Sequence, residues 1–212
     1  MKIAVSGTAS IGKTTYIQDF IKKWSMYETP TKTYRDLIKE KNLTHSSQGT
    51  EESQNEILNY LIDQATEYSK KDFVILDRCV LDNLVYTSWL NLQGLVSEDF
   101  LDKTRILTRE TLKLYDLIFF IPITKVAPVE LVPDEMRDTN PQYREEIDNI
   151  FKVYQESYYK SEGKVFPSSE CPALIEIFGN PQERIKMTEL YIKPDGKAFG
   201  EEESLIKDII TP

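Results

Sequence analysis

Short runs of hydrophobic residues recur along this chain, separated by stretches in which the apolar positions follow helical spacing. Four of these runs predict β-strands at residues 2–6, 72–76, 117–121 and 173–177. The second and third runs are almost continuously apolar, which is typical of parallel strands that are covered on both faces. A fifth, weaker strand is predicted at residues 29–33.

Between the predicted strands, apolar residues return every three or four positions, the spacing of one helix face. The first such face consists of Ile17, Phe20, Ile21 and Trp24. Two longer faces consist of Ile57, Leu58, Leu61, Ile62, Ala65 and Tyr68, and of Phe100, Thr104, Leu107, Thr111 and Leu114. Strands that alternate with helices predict an α/β fold, a doubly wound parallel five-stranded sheet whose ligands bind at the carboxyl ends of the strands.

Proline and glycine positions divide the chain into one domain and a tail. Residues 124–141 are polar and contain prolines, which favours a loop rather than a linker between domains. Pro194, Gly196 and the acidic residues 201–203 indicate a tail outside the core, and residues 204–210 could form a short helix on the core or on a partner. We therefore predict a domain over residues 1–193 and a tail over residues 194–212.

A glycine-rich segment, residues 7–14, links the first predicted strand to the first predicted helix. Its sequence, GTASIGKT, matches the phosphate-binding P-loop in full. In such a loop, backbone N–H groups and the helix N-terminus surround phosphate oxygens. Lys13 would reach the β- and γ-phosphates, and Thr14 would ligate Mg²⁺. The residues predicted to bind the donor, ATP, are Gly7, Ala9, Ser10, Ile11, Gly12, Lys13, Thr14 and Thr15.

The residues after the predicted strand 72–76 separate this chain from other P-loop classes. The sequence contains neither the D-x-x-G nor the N-K-x-D string of GTPases, and Asp77-Arg78 stands where AAA+ and helicase motors carry Asp-Glu. An arginine cannot activate water as a base, but its planar fork can grip anionic oxygens. Asp77 can hold Mg²⁺ or accept a proton from a substrate hydroxyl. The pair favours phosphoryl transfer to a small bound acceptor over hydrolysis.

Four segments resemble the P-loop nucleoside and nucleotide kinases, a group that includes thymidylate, deoxynucleoside and ribosylnicotinamide kinases. They are the P-loop, residues 77–86, residues 134–138 followed by Arg144, and residues 179–184, so the resemblance covers about residues 1–190. The sequence is also similar to small phage-encoded P-loop kinase-like proteins of unassigned substrate. The resemblance implies a sheet of the nucleotide kinase type and a helical lid over about residues 124–160.

The resemblance also implies roles for individual residues. Two lid arginines would clamp the transferred phosphoryl group, so that the predicted catalytic set is Lys13, Asp77, Arg78, Arg137 and Arg144. Asn180 and Arg184 belong to the turn that packs on adenine in these kinases. Asp82 and Asn83 would read the acceptor base, or would merely cap and solvate their helix.

The acceptor side departs from the family pattern near the predicted strand 29–33. Nucleoside kinases commonly place a carboxylate there as the base for the 5′-hydroxyl, whereas this chain has Lys32 and Arg35. Cations suit an acceptor that already carries phosphate, because its charge needs neutralising and it needs little help with deprotonation. Asp36 or Glu28 could still supply a base, so a nucleoside acceptor stays open. The predicted acceptor-binding residues are Lys32, Arg35, Gln54, Arg78, Asp82 and Asn83.

Composition narrows the choice of partners and compartment. The 212 residues carry a net charge of −9, which makes duplex DNA an improbable partner. No apolar run approaches the ~20 residues that span a bilayer, and because the first predicted strand runs straight into the P-loop we expect no signal peptide. The two cysteines lie far apart in the sequence. We therefore expect a cytoplasmic protein (in the host cytoplasm if it is viral) without membrane contact. The resemblance allows a homodimer, since kinases of this kind often form one.

The leading hypothesis is an ATP·Mg²⁺-dependent phosphotransferase that acts on a nucleoside monophosphate or a nucleoside. Thr14 and Asp77 would hold the metal. A second hypothesis keeps the fold and changes the acceptor to a hydroxylated base in DNA or to nicotinamide riboside. A third hypothesis is a nucleotide-binding ATPase or adaptor module that is not a kinase.

Overall fold

The computed structural model describes residues 1–124, 140–160, 165–167 and 169–199. The strands are β1 (Lys2–Ser6), β2 (Val74–Asp77), β3 (Leu117–Phe120) and β4 (Ala173–Glu176). The helices are α1 (Lys13–Lys23), α2 (Tyr34–Lys41), α3 (Glu51–Tyr68), α4 (Val80–Leu92), α5 (Glu98–Leu112), α6 (Pro141–Tyr159) and α7 (Pro181–Thr188). A short 3-10 turn, Ser46–Gln48, lies between α2 and α3.

The strands form one parallel sheet in the order β2-β1-β3-β4. Ala4 of β1 lies opposite Leu76 on one side and Ile118 on the other. Because all strands run in the same direction, their carboxyl ends and the residues that follow meet at one edge of the sheet. The loop after β1 therefore starts in the middle of this edge, next to the ends of β2 and β3.

Helices cover both faces of the sheet, which confirms the α/β class. Successive side chains of a strand point to opposite faces. Accordingly, Ala4 belongs to a buried cluster with residues of α3, α4, α5 and α6, whereas Ile3 and Val5 belong to a second cluster with residues of α1. Each of these three residues of β1 is fully buried. Burying a large apolar side chain contributes roughly 1.5–3 kcal/mol, so the two clusters hold β1 and the loop after it firmly.

The prediction of five strands is wrong for the described residues, which form four. Residues 29–33 are not a strand, and only Glu28 pairs with Val74 in a single bridge. Glu28 N donates to Phe73 O at 3.1 Å, and Ile75 N donates to Glu28 O at 2.9 Å. Pro30 follows, has no N–H to donate and therefore cannot continue this pairing. Thr33 already caps α2, which begins at Tyr34.

Part of the predicted tail packs against the core. Trp24 Nε1 donates to Lys193 O at 2.9 Å, and the Tyr27 hydroxyl donates to Gly196 O at 2.6 Å. Phe199 N donates to Tyr191 O at 3.0 Å and closes a hairpin over residues 191–199. Residues 194–199 are thus attached to the end of α1, whereas the domain boundary at residue 193 stays a prediction.

Only α6 represents the predicted lid, because residues 125–139 lie outside the described ones. Ile147 and Phe151 of α6 are buried, and the Phe151 ring stacks on Phe120 with centroids 5.3 Å apart. Trp89 Nε1 donates to Glu146 at 2.8 Å and joins α6 to α4. A lid role for this region therefore stays a prediction. Across the described ranges, no helix has the length and apolar character needed to cross a membrane.

Candidate active site

Two glycines shape the P-loop because each has a neighbour where a side chain would begin. Gly7, directly after β1, has φ 142°, and a Cβ there would lie 2.5 Å from Ile121 O at the end of β3. Gly12 has φ 86° and precedes the first turn of α1, and its Cβ would lie 3.0 Å from Arg184 Nη1. A residue with a side chain at Gly7 or Gly12 would prevent the loop from packing so closely on the end of β3 and on Arg184 of α7.

Lys13, the P-loop lysine, is buried at the base of the loop. Its Nζ donates to Gly7 O and to Thr8 O, both at 2.7 Å. Burial, followed by the nearby Arg78 charge, lowers the pKa of Lys13 to about 7. A phosphate group placed in the loop would favour the charged form of this lysine. The arrangement is therefore suited to bind an anion rather than to hold a permanent internal ion pair.

Thr14 and Asp77 meet where α1 begins and β2 ends. Thr14 Oγ1 donates to Asp77 Oδ2 at 3.0 Å. Asp77 Oδ1 is buried and has no hydrogen-bond partner among the residues that the structure describes. A hydroxyl oxygen and a carboxylate with an unused oxygen are the hard ligands that Mg²⁺ prefers, usually together with phosphate oxygens and water. The donor set thus fits the predicted metal, although the described residues contain no cluster of three or more His, Cys, Asp or Glu side chains that could hold one.

Two arginines reach the P-loop from helices that lie far away in the sequence. Arg144 of α6 donates from Nε to Ala9 O at 3.0 Å and from Nη2 to Ser10 O at 3.4 Å. Arg184 of α7 donates from Nη1 to Ile11 O at 2.8 Å and from Nε to Gly179 O at 2.9 Å. Both side chains are buried. The sequence did not indicate that these arginines bind loop carbonyls, and the phosphoryl clamp predicted for Arg144 and the adenine contact predicted for Arg184 stay predictions.

The two other predicted donor-side residues have different outcomes. Asn180 caps α7, because its side-chain oxygen accepts hydrogen bonds from Gln182 N and Glu183 N, both at 3.0 Å. A contact of Asn180 with adenine stays a prediction. Arg137 lies outside the described residues, and its catalytic role also stays a prediction.

Arg78 occupies a strained and enclosed position at the start of the segment that follows β2. Its φ is 78°, a left-handed conformation that is rare for a residue with a side chain. Nη1 donates to Asp82 Oδ1 at 3.0 Å, and the guanidinium lies over the rings of Tyr34 and Tyr86, 4.6 and 5.3 Å from their centroids. Nε is buried and finds no partner within the described residues. Strain of this kind is typical of functional sites.

Asp82 anchors this arrangement from α4. Its Oδ2 accepts hydrogen bonds from the Ser6 hydroxyl at 2.6 Å and from Cys79 N at 3.1 Å, while Oδ1 binds Arg78. The side chain is buried. These contacts account for its capping and anchoring function, and direct binding of an acceptor base by Asp82 stays a prediction.

A cavity that is partly open to solvent lies beside Arg78 and encloses about 520 Å³, including that open space. Its walls come from the P-loop, α2, the 3-10 turn, α3 and the first turns of α4, and they include Ala9, Tyr34, Ile38, Ser46, Gln54, Ile57, Arg78, Asn83 and Tyr86. Apolar side chains such as Ile38 and Ile57 thus lie beside the polar groups of Gln54, Arg78 and Asn83, a composition that is usual for small-molecule sites.

Gln54 and Asn83 form a fixed pair in this cavity. Asn83 Nδ2 donates to Gln54 O at 3.1 Å and to Gln54 Oε1 at 2.9 Å. The backbone carbonyl can only accept, so the orientation of the Asn83 amide is determined. Asn83 Oδ1 is buried and has no partner in the described part of the chain. An unpaired buried acceptor is costly, which points to a ligand that donates a hydrogen bond here.

The predicted cations at the acceptor side are placed differently. Lys32 is exposed and pairs with Glu40, 2.5 Å from Nζ to Oε2. Arg35 is half-buried, donates from Nε to the Tyr34 hydroxyl at 3.4 Å and lies within electrostatic reach of Arg78 and Asp77. Arg35 is therefore near the cavity, whereas nothing in the arrangement supports the predicted role of Lys32.

The two carboxylates that could have served as alternative bases, Glu28 and Asp36, bind other protein groups. Glu28 pairs with Lys71 at 2.7 Å, at the edge of the sheet. Asp36 accepts hydrogen bonds from Thr33 N and Oγ1, and these bonds hold the pKa of Asp36 below its usual value. Sequence reasoning also missed Tyr34, which covers Arg78, because residues 29–33 were interpreted as a strand and α2 was not predicted.

Comparisons with known proteins agree with this architecture. A family model described as AAA domain matches residues 2–160. No curated protein matches the sequence significantly. Deoxyadenosine kinase from M. mycoides, solved with dCMP and dCDP, is 18% identical with a TM-score of 0.59, and the match covers 89% of this chain and 96% of that one.

Two further solved structures are similar. The NadR protein in complex with NR is 16% identical with a TM-score of 0.62, over 89% of this chain and 50% of that one. Thymidylate kinase from Candida albicans is 16% identical with a TM-score of 0.53, over 89% of each chain. At such identities the similarity establishes the fold, and it confirms the resemblance to P-loop nucleoside and nucleotide kinases at that level.

Proposed function

The chain belongs to the AAA domain family, and from the geometry of its site we propose that it is a kinase that transfers the γ-phosphoryl group of ATP to a nucleoside monophosphate or a nucleoside. One observation carries the proposal. Asp77 and Arg78 are consecutive, and the first faces Thr14 of the P-loop while the second lines the acceptor cavity. A donor site and a cavity that share one dipeptide are suited to direct transfer between two bound molecules.

The residues of the site divide the work of phosphoryl transfer. Backbone N–H groups of residues 7–14 bind the donor phosphates, and Lys13 neutralises charge on the transferred group. Thr14 Oγ1 and Asp77 would hold Mg²⁺, which when bound offsets charge on the β- and γ-phosphate oxygens. Arg78 lies between the loop and the cavity, so its guanidinium can bind oxygens of the acceptor, of the transferred group or of both. Positioning and electrostatics supply the rate enhancement.

The wall of the acceptor cavity carries two chemically different polar groups. Arg78 and the nearby Arg35 supply positive charge, and Arg78 Nε is buried without a partner among the described residues. Asn83 Oδ1 supplies a hydrogen-bond acceptor. An acceptor molecule that has an anionic or hydroxyl group and also a base bearing an N–H donor satisfies both.

The positions of the carboxylates favour a monophosphate over a nucleoside. A nucleoside 5′-hydroxyl must lose a proton during transfer, whereas a phosphate oxygen is already ionised near neutral pH. Glu28 and Asp36 are engaged by Lys71 and Thr33. Asp77 is the carboxylate that lies beside the transfer site with an unused oxygen. If the acceptor is a nucleoside, Asp77 must act as the base as well as a metal ligand.

The experiment is a coupled assay of ADP release across the common nucleosides, their monophosphates and nicotinamide riboside. Nicotinamide riboside is included because the nicotinamide riboside kinases are among the resembled enzymes. Acceptor-dependent ADP release that disappears in Lys13→Ala supports the proposal. If no compound stimulates ADP release above the Lys13→Ala level, the proposal is wrong, and tight ATP binding would then indicate a nucleotide-binding module that is not a kinase. Radiolabel transfer to polymeric DNA would indicate a base within DNA as the acceptor.

A further inference from the structure

Five consecutive carbonyl oxygens of the P-loop accept hydrogen bonds from cationic side chains. Lys13 binds those of Gly7 and Thr8. Arg144 binds those of Ala9 and Ser10, and Arg184 binds that of Ile11. We refer to Arg144 and Arg184 together as the arginine brace.

We propose that the arginine brace consists of positioning residues that set the shape of the loop for a nucleotide phosphate. In a planar trans peptide, the carbonyl of one residue and the N–H of the next point in opposite directions. The arginines hold the carbonyls of residues 9–11, and they therefore turn the N–H groups of residues 10–12 away from the guanidinium groups, towards the opposite side of the loop. Inward N–H groups are what binds phosphate in such a loop.

Arg184 is built into this position. It is 5% exposed, and its second contact, from Nε to Gly179 O, ties the loop to the turn before α7. Gly12 leaves room for it, since a Cβ at that residue would lie 3.0 Å from Arg184 Nη1. The Thr188 hydroxyl, which donates to Arg184 O, is also within 2.7 Å of the Tyr16 hydroxyl on α1. The Thr188 contacts thus join α7 to α1 at the backbone of Arg184, while Gly179 O and Ile11 O hold its guanidinium.

Arg144 adds a connection to α6. Its side chain contacts the loop through two nitrogens, and its backbone oxygen lies 3.5 Å from the Thr8 hydroxyl, which donates to it. Both nitrogens are thus engaged by carbonyls. We therefore assign Arg144 a positioning role in place of the direct phosphate clamp expected from the sequence. The inference rests on the proposed function only in that the loop binds a nucleotide.

The test measures ADP·Mg²⁺ and ATP·Mg²⁺ affinity by calorimetry, and steady-state kinetics with the best acceptor, for Arg184→Gln and Arg144→Gln. The matched control is Arg109→Gln, on α5, whose arginine lines a groove that contains no P-loop residue. Loss of a charged hydrogen bond to the loop predicts that each brace variant weakens ADP binding by roughly tenfold or more. We expect kcat at saturating ATP and KM for the acceptor to stay within about twofold of wild type, as they should in Arg109→Gln. The reason is that kcat changes only when an interaction is stronger in the transition state than in the bound ground state.

The outcomes separate the alternatives. Unchanged ADP affinity together with a lower kcat would overturn the inference, because it would make Arg144 a transition-state clamp. Unchanged ADP affinity and unchanged kcat would overturn it as well.

If Arg184→Gln does not fold, Arg184→Lys replaces it, since one ammonium cannot reproduce the fork that spans Gly179 O and Ile11 O. The same weaker ADP binding is expected, and wild-type affinity in folded Arg184→Lys would contradict the brace. Failure of the wild-type protein to bind ADP or ATP would instead overturn the proposed function.

Discussion

Thr14 Oγ1 donates a hydrogen bond of 3.0 Å to Asp77 Oδ2, which joins the first turn of α1 to the carboxyl end of β2 across 63 positions of sequence. The other oxygen of Asp77 is buried and unpaired among the described residues. This pair defines the place where a metal ion and the donor phosphates would meet. Arg78, the next residue, turns away from it towards the acceptor cavity.

Asp77→Asn should remove most of the metal dependence of nucleotide binding. The substitution keeps the size of the side chain but replaces a charged ligand oxygen with an amide. We expect Mg²⁺ to strengthen ATP binding by roughly tenfold less than in wild type, because Mg²⁺ depends on carboxylate oxygens. ATP titrations with Mg²⁺ and with EDTA measure the difference. The same Mg²⁺ effect in both proteins would mean that Asp77 is not a metal ligand.

ATP affinity should fall as pH rises above about 7. Burial lowers the pKa of Lys13 to about 7 in the free protein, and bound phosphate would raise it again. Below the pKa of the free protein, Lys13 is already charged and strengthens ATP binding in full. This contribution to ATP affinity is lost as pH rises from that value towards the pKa of the complex. Calorimetry in buffers of different ionisation enthalpy should detect proton uptake on binding near pH 8.

Lys13→Met provides the control for this pH dependence. Its ATP affinity should be weak and nearly independent of pH in the same range, because the titrating group is absent. An equally steep pH dependence in Lys13→Met would assign the effect to another group.

Asn83→Ala should impair acceptor binding and leave donor binding intact. It removes the unpaired Oδ1 and also the Nδ2 that donates to Gln54. Loss of these contacts predicts an acceptor KM that is higher by roughly tenfold or more, with KM for ATP unchanged. The matched control, Gln93→Ala, removes an exposed amide at the end of the same helix. An acceptor KM equal to that of the control would exclude Asn83 from acceptor binding.

The hairpin over residues 191–199 should contribute to folding stability. Tyr27→Phe removes the hydroxyl that donates to Gly196 O, and we expect it to lower the free energy of unfolding by about 1 kcal/mol. Truncation after Leu190 also removes the acceptor of the Trp24 indole N–H and should destabilise the protein more. Truncation after Phe199 keeps both of these backbone acceptors and is the reference for the comparison. Urea unfolding checks all three, and equal stability after both truncations would contradict the structure. The product truncated after Phe199 keeps the hairpin. It is therefore the one to use when testing whether the tail recruits a partner.

Sequence patterns predicted those parts of the site whose structure depends on residues close together in the chain. The P-loop and the apolar strand before Asp77 depend on neighbouring residues, and each was predicted correctly, whereas the helix after Arg78 followed from the resemblance to kinases. Residues 29–33 were predicted as a strand because their composition resembles one, but Pro30 and the cap at Thr33 limit the pairing to Glu28.

The contacts that the sequence did not predict join distant segments. Arg144 and Arg184 bind loop carbonyls from 135 and 173 positions away, and no spacing rule specifies which atom a distant arginine will meet. The pairing of Lys32 with Glu40 likewise depends on how α2 is placed. The same holds for Tyr34, whose ring covers Arg78.

The most direct measurement follows the γ-phosphate itself. ATP labelled with ¹⁸O in the γ-phosphoryl group is incubated with the protein and the acceptor that stimulates ADP release most, and mass spectrometry locates the label. The account predicts label on the phosphorylated acceptor, at a rate that depends on acceptor concentration and is abolished in Lys13→Ala. Label that appears only in inorganic phosphate, at a rate independent of any acceptor, would contradict it and identify the protein as an ATPase.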